Sequence, residues 1–332
     1  MKAIIPVAGA GVNLRPHTYT QPKPLILVAG KPIISFIIDQ LADAGVEEFV
    51  FILGYLGDKI KNYLTANYPD LNITYVVQDD RKGLGHAILL TKEIIKDEED
   101  IIILLGDTII DMDMKEFIHM KGSVLATQKV KDPRQFGVME LDNKGVVKKV
   151  VEKPSIPKSN MAIAGLYKIS DTPNLIKALE KVYKIATAEN REVHLAEGLM
   201  TMIKEGIEFK TYEVSRWYDC GKKDILLETN KMLLSQRVSE VGTQFVYNHT
   251  IIIPPVVYGK SCKFNNAIIG PNVTLGDNVH IENSFIVDSI LGDYVRISGA
   301  VLTKSIIGND ASIKGLSQSL NIGDNNEIDF SN

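Results

Sequence analysis

Residues 2–27 read KAIIPVAGAGVNLRPHTYTQPKPLIL, and the first half of this stretch sets the architecture. Lys2 to Val7 is a short apolar run rich in β-branched residues that ends at glycines, the pattern of a buried strand feeding a turn. Gly9 and Gly11 let the backbone turn tightly and aim successive N–H groups at an anion, with no Cβ in the way. A G-x-G pair alone also occurs in many turns that bind nothing. Here two cations follow it, Arg15 and Lys23, and Pro22 and Pro24 predict an extended backbone for Lys23. The run resembles the start of a signal peptide, but Asn13, Arg15 and Pro16 follow at once with no small-residue cleavage site, so none is expected.

Downstream, strand-like and helix-like segments alternate. A helix is expected near Ile33–Ala44, a strand over Glu48–Leu53, a helix over Asp58–Asn67 and a strand over Ile73–Val77. A helix near Gly85–Ile95 and a very apolar strand over Asp100–Leu105 continue the series. This alternation predicts an α/β, Rossmann-like, mostly parallel sheet with helices on both faces. Ligands of such sheets lie beyond the carboxyl ends of the strands. The glycine loop and Gly106-Asp107 both fall there.

Past about residue 245 the period changes. An aliphatic residue precedes glycine at Ile269-Gly270, Leu275-Gly276, Leu291-Gly292, Ile307-Gly308 and Ile322-Gly323, and Ile281, Ile297, Ile313 and Ile328 stand six positions after several of these. A six-residue repeat gives coils of about 18 residues with three flat faces, a left-handed parallel β-helix. An irregular β-sandwich is the alternative, although sandwiches need no fixed period. The expected domains are 1–240 and 241–332, joined through a helix over Asp224–Ser235.

Composition narrows the function. With 37 Lys+Arg against 41 Asp+Glu the formal charge is −4, so no global field attracts nucleic acid or an anionic membrane. Phosphate binding must be local. The two cysteines, Cys220 and Cys262, are too few for a disulfide framework, have no zinc-type spacing and suit a reducing cytoplasm. No apolar run approaches the roughly 20 residues that span a bilayer.

The motifs together resemble those of the sugar-1-phosphate nucleotidyltransferases, the pyrophosphorylases that make nucleotide sugars. They are AGAG-x-x-LRP at Ala8 to Pro16, PKPL with Lys23, Gln78 followed by Gly83-Leu84-Gly85, and LGD at Leu105 to Asp107. Then come FGV at Phe136 to Val138, EKP at Glu152 to Pro154, AGLY at Ala164 to Tyr167 and WYDCG at Trp217 to Gly221, in family order and followed by the repeat tail. The resemblance covers nearly the whole chain and lies nearest the glucose-1-phosphate thymidylyl- and uridylyltransferases. It implies that an NTP and a hexose 1-phosphate, with glucose 1-phosphate and dTTP or UTP foremost, give a nucleotide sugar and pyrophosphate.

The resemblance also implies roles. Asp107 and Asp219 would hold Mg²⁺, an ion that favours carboxylate and phosphate oxygens. Lys23 would contact the triphosphate, and Lys153 the phosphate of the sugar substrate. Glu152 would accept from sugar hydroxyls, with Gly137, Gly165 and Tyr167 in the same pocket. Ala8, Gly9, Gly11 and Asn13 would cradle the nucleotide, Gln78 would read the base edge, and Gly83 would give it backbone access. Blander readings exist: either aspartate could cap a helix or turn, Lys153 could be a solvated strand-end lysine, and Trp217 suits packing better than stacking.

One position departs from the family. Its loop usually reads G-x-G-T-R-L-x-P, with an arginine that neutralises the triphosphate and leaving pyrophosphate; here Val12 and Asn13 stand there. Losing a desolvated cation of this kind costs several kcal/mol, roughly the scale of other charge-stabilising donors. Arg15 could supply the charge as a catalytic residue, the chain could be a regulatory homologue that binds nucleotide sugars without making them, or the residue could have been altered. Retention of Lys23, Asp107, Lys153 and Asp219 favours an enzyme. The expected partners are the two substrates and a second copy of the chain through the β-helix. In the repeats His280 is the sole histidine, so acyl transfer is not expected.

Overall fold

A computed structural model describes residues 1–236, 245–247 and 249–315. Its contacts divide the chain into two compact units, Met1–Thr229 and Asn230–Asn332. The division falls inside the helix Lys223–Gln236, which spans the stretch expected from the sequence. The boundary expected at residues 240 and 241, and the repeats at Ile322-Gly323 and Ile328, lie outside the described residues.

The first unit is built on β1 (Lys2–Pro6), β2 (Glu48–Leu53), β3 (Asn72–Val77) and β4 (Ile101–Leu104). These pair in parallel in the order β4-β1-β2-β3, with Ile4 opposite both Val50 and Ile103. β4 is buried along its whole length and β1 at its three central residues, as strands covered on both faces must be. Helix α1 (Ile33–Asp43) turns Ile33, Ile34, Ile37, Ile38 and Leu41 inward. A second core joins Ile4, Val50, Ile52, Ile101 and Ile103 to apolar residues of α6 (Thr172–Ala188) and α7 (Leu195–Lys204). Each such side chain contributes about 1.5–3 kcal/mol through burial.

The intervening helices, numbered in chain order, hold one correction. α2 runs over Gly57–Asn67 as expected, but the helix expected near Gly85–Ile95 is two pieces, α3 (Leu84–Leu89) and α4 (Lys92–Ile95). The hydroxyl and the N–H of Thr91 both donate to the Ile88 carbonyl, which closes the turn between them.

The sheet is mixed beyond β4. The antiparallel neighbour of β4 is β9 (Met161–Ile169), which also pairs with β6 (Ser123–Lys129) and with the hairpin of β7 (Gly137–Leu141) and β8 (Val147–Glu152). β10 (Phe209–Glu213) runs parallel to β6. A separate ladder, β5 (Thr108–Asp111) with β11 (Arg216–Asp219), sets Thr108 opposite Asp219. α5 (Met114–His119) follows β5.

The second unit is the left-handed parallel β-helix expected from the repeats. Its inward columns are Ile252-Ile269-Ile286-Leu302, Leu275-Leu291-Ile307 and Phe264-Ile281-Ile297-Ile313. The coils are shorter than the expected 18 residues, with equivalent positions 17 and then 16 apart. Ser284 and Ser289 stand at two of the short corners. Each hydroxyl donates to a carbonyl two residues back, of Glu282 or Val287, and accepts an N–H from the next coil, of Ala300 or Ser305. At the full-length corners an Asx side chain does this work: Asp277 accepts from Lys260 N–H, and Asp293 from Asp277 N–H. Among the described residues no helix is long and apolar enough to cross a membrane.

Candidate active site

β1 ends at Pro6, and the chain then turns through the glycine loop. Gly11 adopts φ 59°, ψ 39°, and its carbonyl accepts from Leu14 N–H and the Thr18 hydroxyl. Val12–Leu14 form a single 3₁₀ turn. The N–H groups of Gly9, Ala10, Gly11, Val12 and Asn13 donate to no described residue, while Ala8 is tied down through its carbonyl by Tyr55 N–H. A run of unpaired amides at this end of the sheet is what an anion cradle requires.

Lys23 is one correction to the sequence reading. Pro22 is extended, but Lys23–Leu25 form a 3₁₀ turn, closed by Leu25 N–H to Pro22 O and Ile26 N–H to Lys23 O. These two bonds outweigh the extended preference of a residue before proline. The turn delivers a buried ammonium. Lys23 is 8% exposed, and its Nζ lies 2.5 Å from Asp107 Oδ2 and 3.4 Å from Asp219 Oδ1. Burial presses its pKa down, but the two carboxylates outweigh burial and hold it above the ordinary lysine value.

The aspartates meet through two devices. Asp107 follows β4 in a turn whose Gly106 N–H donates to Pro6 O, and Cys220 N–H donates to the Asp107 carbonyl. The β5–β11 register then carries Asp219 alongside. A Cβ at Gly106 would sit 2.2 Å from Val7 Cγ1, so only glycine lets this turn lie against the end of β1. Cys220 is fully buried, and burial pushes its thiol up to about 12, so it is no nucleophile. Among the described residues no group of three or more His, Cys, Asp or Glu could hold a metal. The carboxylates of Asp107 and Asp219 are oxygen donors of the kind a divalent ion takes together with phosphate oxygens.

A second group forms where β7 meets β8. Glu152 pairs with Gly137 across the hairpin, and its Oε2 lies 3.4 Å from where a Gly137 Cβ would stand. Lys153 takes φ 40°, a conformation that side chains other than glycine rarely adopt, and its N–H donates to Phe136 O. Its Nζ is 3.8 Å from Glu152 Oε1 and largely exposed. Tyr167 is buried, and burial followed by the nearby Glu152 raises its phenol. Gly165 lies in the register shift of β9 and accepts Leu105 N–H, which links this group to the Asp107 turn. Trp217 packs edge-on against Phe136 at 4.6 Å, and its indole N–H is buried without a partner.

Gln78 caps the end of β3, where its N–H donates to Leu53 O. Its amide nitrogen contacts the Gly83 carbonyl and His86 Nδ1, both at 3.1 Å. Sequence reading missed His86; its only signal is a histidine eight positions after Gln78 at the start of a helix. Arg15 stands apart from these groups. Its guanidinium lies over the exposed Tyr19 ring at 4.9 Å, and Asn13 is exposed in the 3₁₀ turn.

The chain resembles known proteins over most of its length. The nucleotidyl transferase family profile matches residues 2–236. Over 321 residues the chain is 30% identical to the low-salt glycan biosynthesis nucleotidyltransferase Agl11 of Haloferax volcanii, covering 86% of this chain and 87% of that one. A glucose-1-phosphate thymidylyltransferase of Streptomyces griseus is 27% identical over 314 residues, covering 88% of this chain and 87% of the relative. The solved structure of UDP-glucose pyrophosphorylase with UDP-glucose matches at a TM-score of 0.60 and 26% identity, covering 71% of this chain and 99% of that one. The chain belongs to the nucleotidyl transferase family and is an enzyme of its sugar-1-phosphate branch.

Proposed function

We propose that this enzyme joins glucose 1-phosphate to the nucleotidyl group of dTTP or UTP. The convergence of Asp107 and Asp219 on Lys23 beside the unpaired loop amides carries this reading. An oxygen of the sugar 1-phosphate attacks the α-phosphorus. The bond from that phosphorus to the bridging oxygen breaks, and pyrophosphate leaves with the electron pair. Such a transfer asks the protein for alignment and charge neutralisation rather than covalent chemistry.

The chain's residues divide that work. Amides of Gly9 to Asn13 cradle the phosphates, and Lys23 supplies the cation nearest the reacting phosphorus. Glu152 accepts from sugar hydroxyls in a pocket shaped by Gly137, Gly165 and Tyr167, while Lys153 holds the sugar phosphate. Asp107 and Asp219 would hold Mg²⁺, which supplies Lewis-acid polarisation of phosphate oxygens when bound. Arg15 would serve catalysis by swinging in from Tyr19 to replace the family's loop cation. Pyrophosphate release with Mg²⁺, assayed over all common NTPs and hexose 1-phosphates, should find dTTP or UTP with glucose 1-phosphate; silence across the grid would sink the reading.

A second reading rests on Asn13. With Arg15 stacked on Tyr19, the loop has no cation of its own at the family position. A regulatory homologue would then bind nucleotide sugars tightly and turn nothing over. Calorimetry with UDP- and dTDP-glucose beside the release assay separates the two.

The enzyme is further proposed to be cytoplasmic and to self-associate through the β-helix. Ile251, Ile268, Phe285 and Val301 form one outward column on its first face, with Ile268 36% and Val301 62% exposed. Uncharged Asn266 and Asn283 lie beside it. An apolar stripe of this kind suits a second copy of itself.

A further inference from the structure

The charges around Lys23 sum to a negative value. Lys23 is one cation held between two carboxylates, Asp107 and Asp219, so before any metal binds these three side chains leave one negative charge. A triphosphate entering beside them adds to it. Asn13 offers no charge, and the Arg15 guanidinium is engaged over the Tyr19 ring.

A further cation stands where the chain leaves β11. Gly221 follows Asp219 by two residues and runs so close to Lys23 that a Cβ on it would lie 3.1 Å from Lys23 Nζ and 3.1 Å from Asp219 Oδ1. Lys223 is two residues on, within about 7 Å of Gly221 along the chain, and opens the helix Lys223–Gln236. The phosphate loop packs against Lys23 as well. A Cβ at Gly11 would lie 3.1 Å from Lys23 Cβ, and the Gly11 carbonyl accepts from the hydroxyl of Thr18, the neighbour of His17. His17 is half-buried; burial first, and then the charge of Lys223, lower its pKa, so the Lys223 ammonium is within electrostatic reach of the loop.

The protein itself makes no use of that charge. Lys223 is exposed, with no ion pair and no side-chain hydrogen bond among the described residues. Its neighbour Lys222 leans towards another partner, with Nζ 3.4 Å from Gln135 Oε1. A cation in the first turn of a helix also opposes the helix dipole, which favours anions there. Folding therefore gains nothing from a lysine at this position, whereas a polyanion held between it and the loop does. We propose that Lys223 is a catalytic residue of the transfer, which meets the triphosphate and the leaving pyrophosphate and so supplies charge missing at Asn13. This inference rests on the nucleotidyl-transfer reading and adds a second source of charge to Arg15, which must leave Tyr19 to arrive.

The test measures pyrophosphate release with Mg²⁺ and the preferred NTP by wild type, Lys223→Gln, Lys223→Arg, Asn13→Arg and the double variant carrying Asn13→Arg and Lys223→Gln. Lys223→Gln should lower kcat/KM for the NTP about 10-fold or more and leave KM for the sugar 1-phosphate within about 3-fold, while Lys223→Arg stays within about 3-fold on both. The melting temperature of Lys223→Gln should hold or rise slightly, because the dipole no longer faces a cation. The gain from Asn13→Arg should be about 10-fold larger on the Lys223→Gln background than on wild type, since one cation then replaces the other. A folded Lys223→Gln with unchanged kcat/KM overturns the inference, as does a loss of activity that only accompanies a fall in melting temperature. Equal gains from Asn13→Arg on both backgrounds overturn it too. If no NTP is turned over, the transfer reading fails by itself. Calorimetry with inorganic tripolyphosphate then decides the inference: an affinity about 10-fold lower in Lys223→Gln upholds it, and an equal affinity overturns it.

Discussion

At the level of single residues, Lys23 and Asn13 define opposite ends of one electrostatic problem. Lys23 neutralises two carboxylates and is proposed to meet the triphosphate, whereas Asn13 leaves the loop without the charge expected there. Lys23→Met should lower kcat about 10²–10³-fold in the release assay, the scale seen when one charge-stabilising donor is removed. It should also alter alkaline stability. Because its pKa is raised in the folded state, the stability Lys23 contributes is complete below the unfolded value of about 10.4 and is lost as pH rises through the folded value. The melting-temperature gap between wild type and Lys23→Met should therefore close above that pH in a thermal titration. Asn13→Arg should raise kcat/KM for the NTP about 10-fold or more; no gain would mean that the loop does not need the charge. Arg15→Ala in the same assay reports whether the side chain stacked on Tyr19 is the replacement.

At the level of elements, the site depends on turns that bring strand ends close together. Gly106 is the tightest of them, with a notional Cβ 2.2 Å from Val7 Cγ1. Gly106→Ala should cost about 1–3 kcal/mol by urea denaturation, as overpacking does, and should also lower kcat because Asp107 is the next residue. If stability falls while kcat holds, the turn is a packing device alone. The β5–β11 ladder belongs to the same logic, since its register, and no local signal, sets Asp219 beside Asp107. Lengths of α1, α2 and the parallel strands were legible from periodicity and burial pattern. The break at Thr91 and the 3₁₀ turn at Lys23 were not, because hydrogen bonds to neighbouring carbonyls overrode local preference there.

At the level of the molecule, the β-helix column of Ile251, Ile268, Phe285 and Val301 is the proposed contact with a second copy. Val301→Glu should lower the mass measured by light scattering without moving kcat, because a charge in a desolvated apolar contact is costly. An unchanged mass at several dilutions would remove the column as an interface. Serine hydroxyls link neighbouring coils next to this column, at Ser284 to Ala300 and Ser289 to Ser305.

The sequence by itself determined which elements form and which chemistry is present. Alternating apolar runs dictate a parallel sheet, a short aliphatic repeat dictates a β-helix, and ordered motifs supply the phosphate loop, the two aspartates and the lysines. Such signals are local, because each depends on a residue's neighbours in the chain. Tertiary structure decided the relations between distant residues: the antiparallel strands beyond β4, the sharing of Lys23 by Asp107 and Asp219, and the perch of Arg15 on Tyr19. It also decided that the Gln78 amide nitrogen meets both the Gly83 carbonyl and His86 Nδ1. The physical reason is that ion pairing and hydrogen-bond saturation depend on distance and direction in space, which spacing along a chain does not encode.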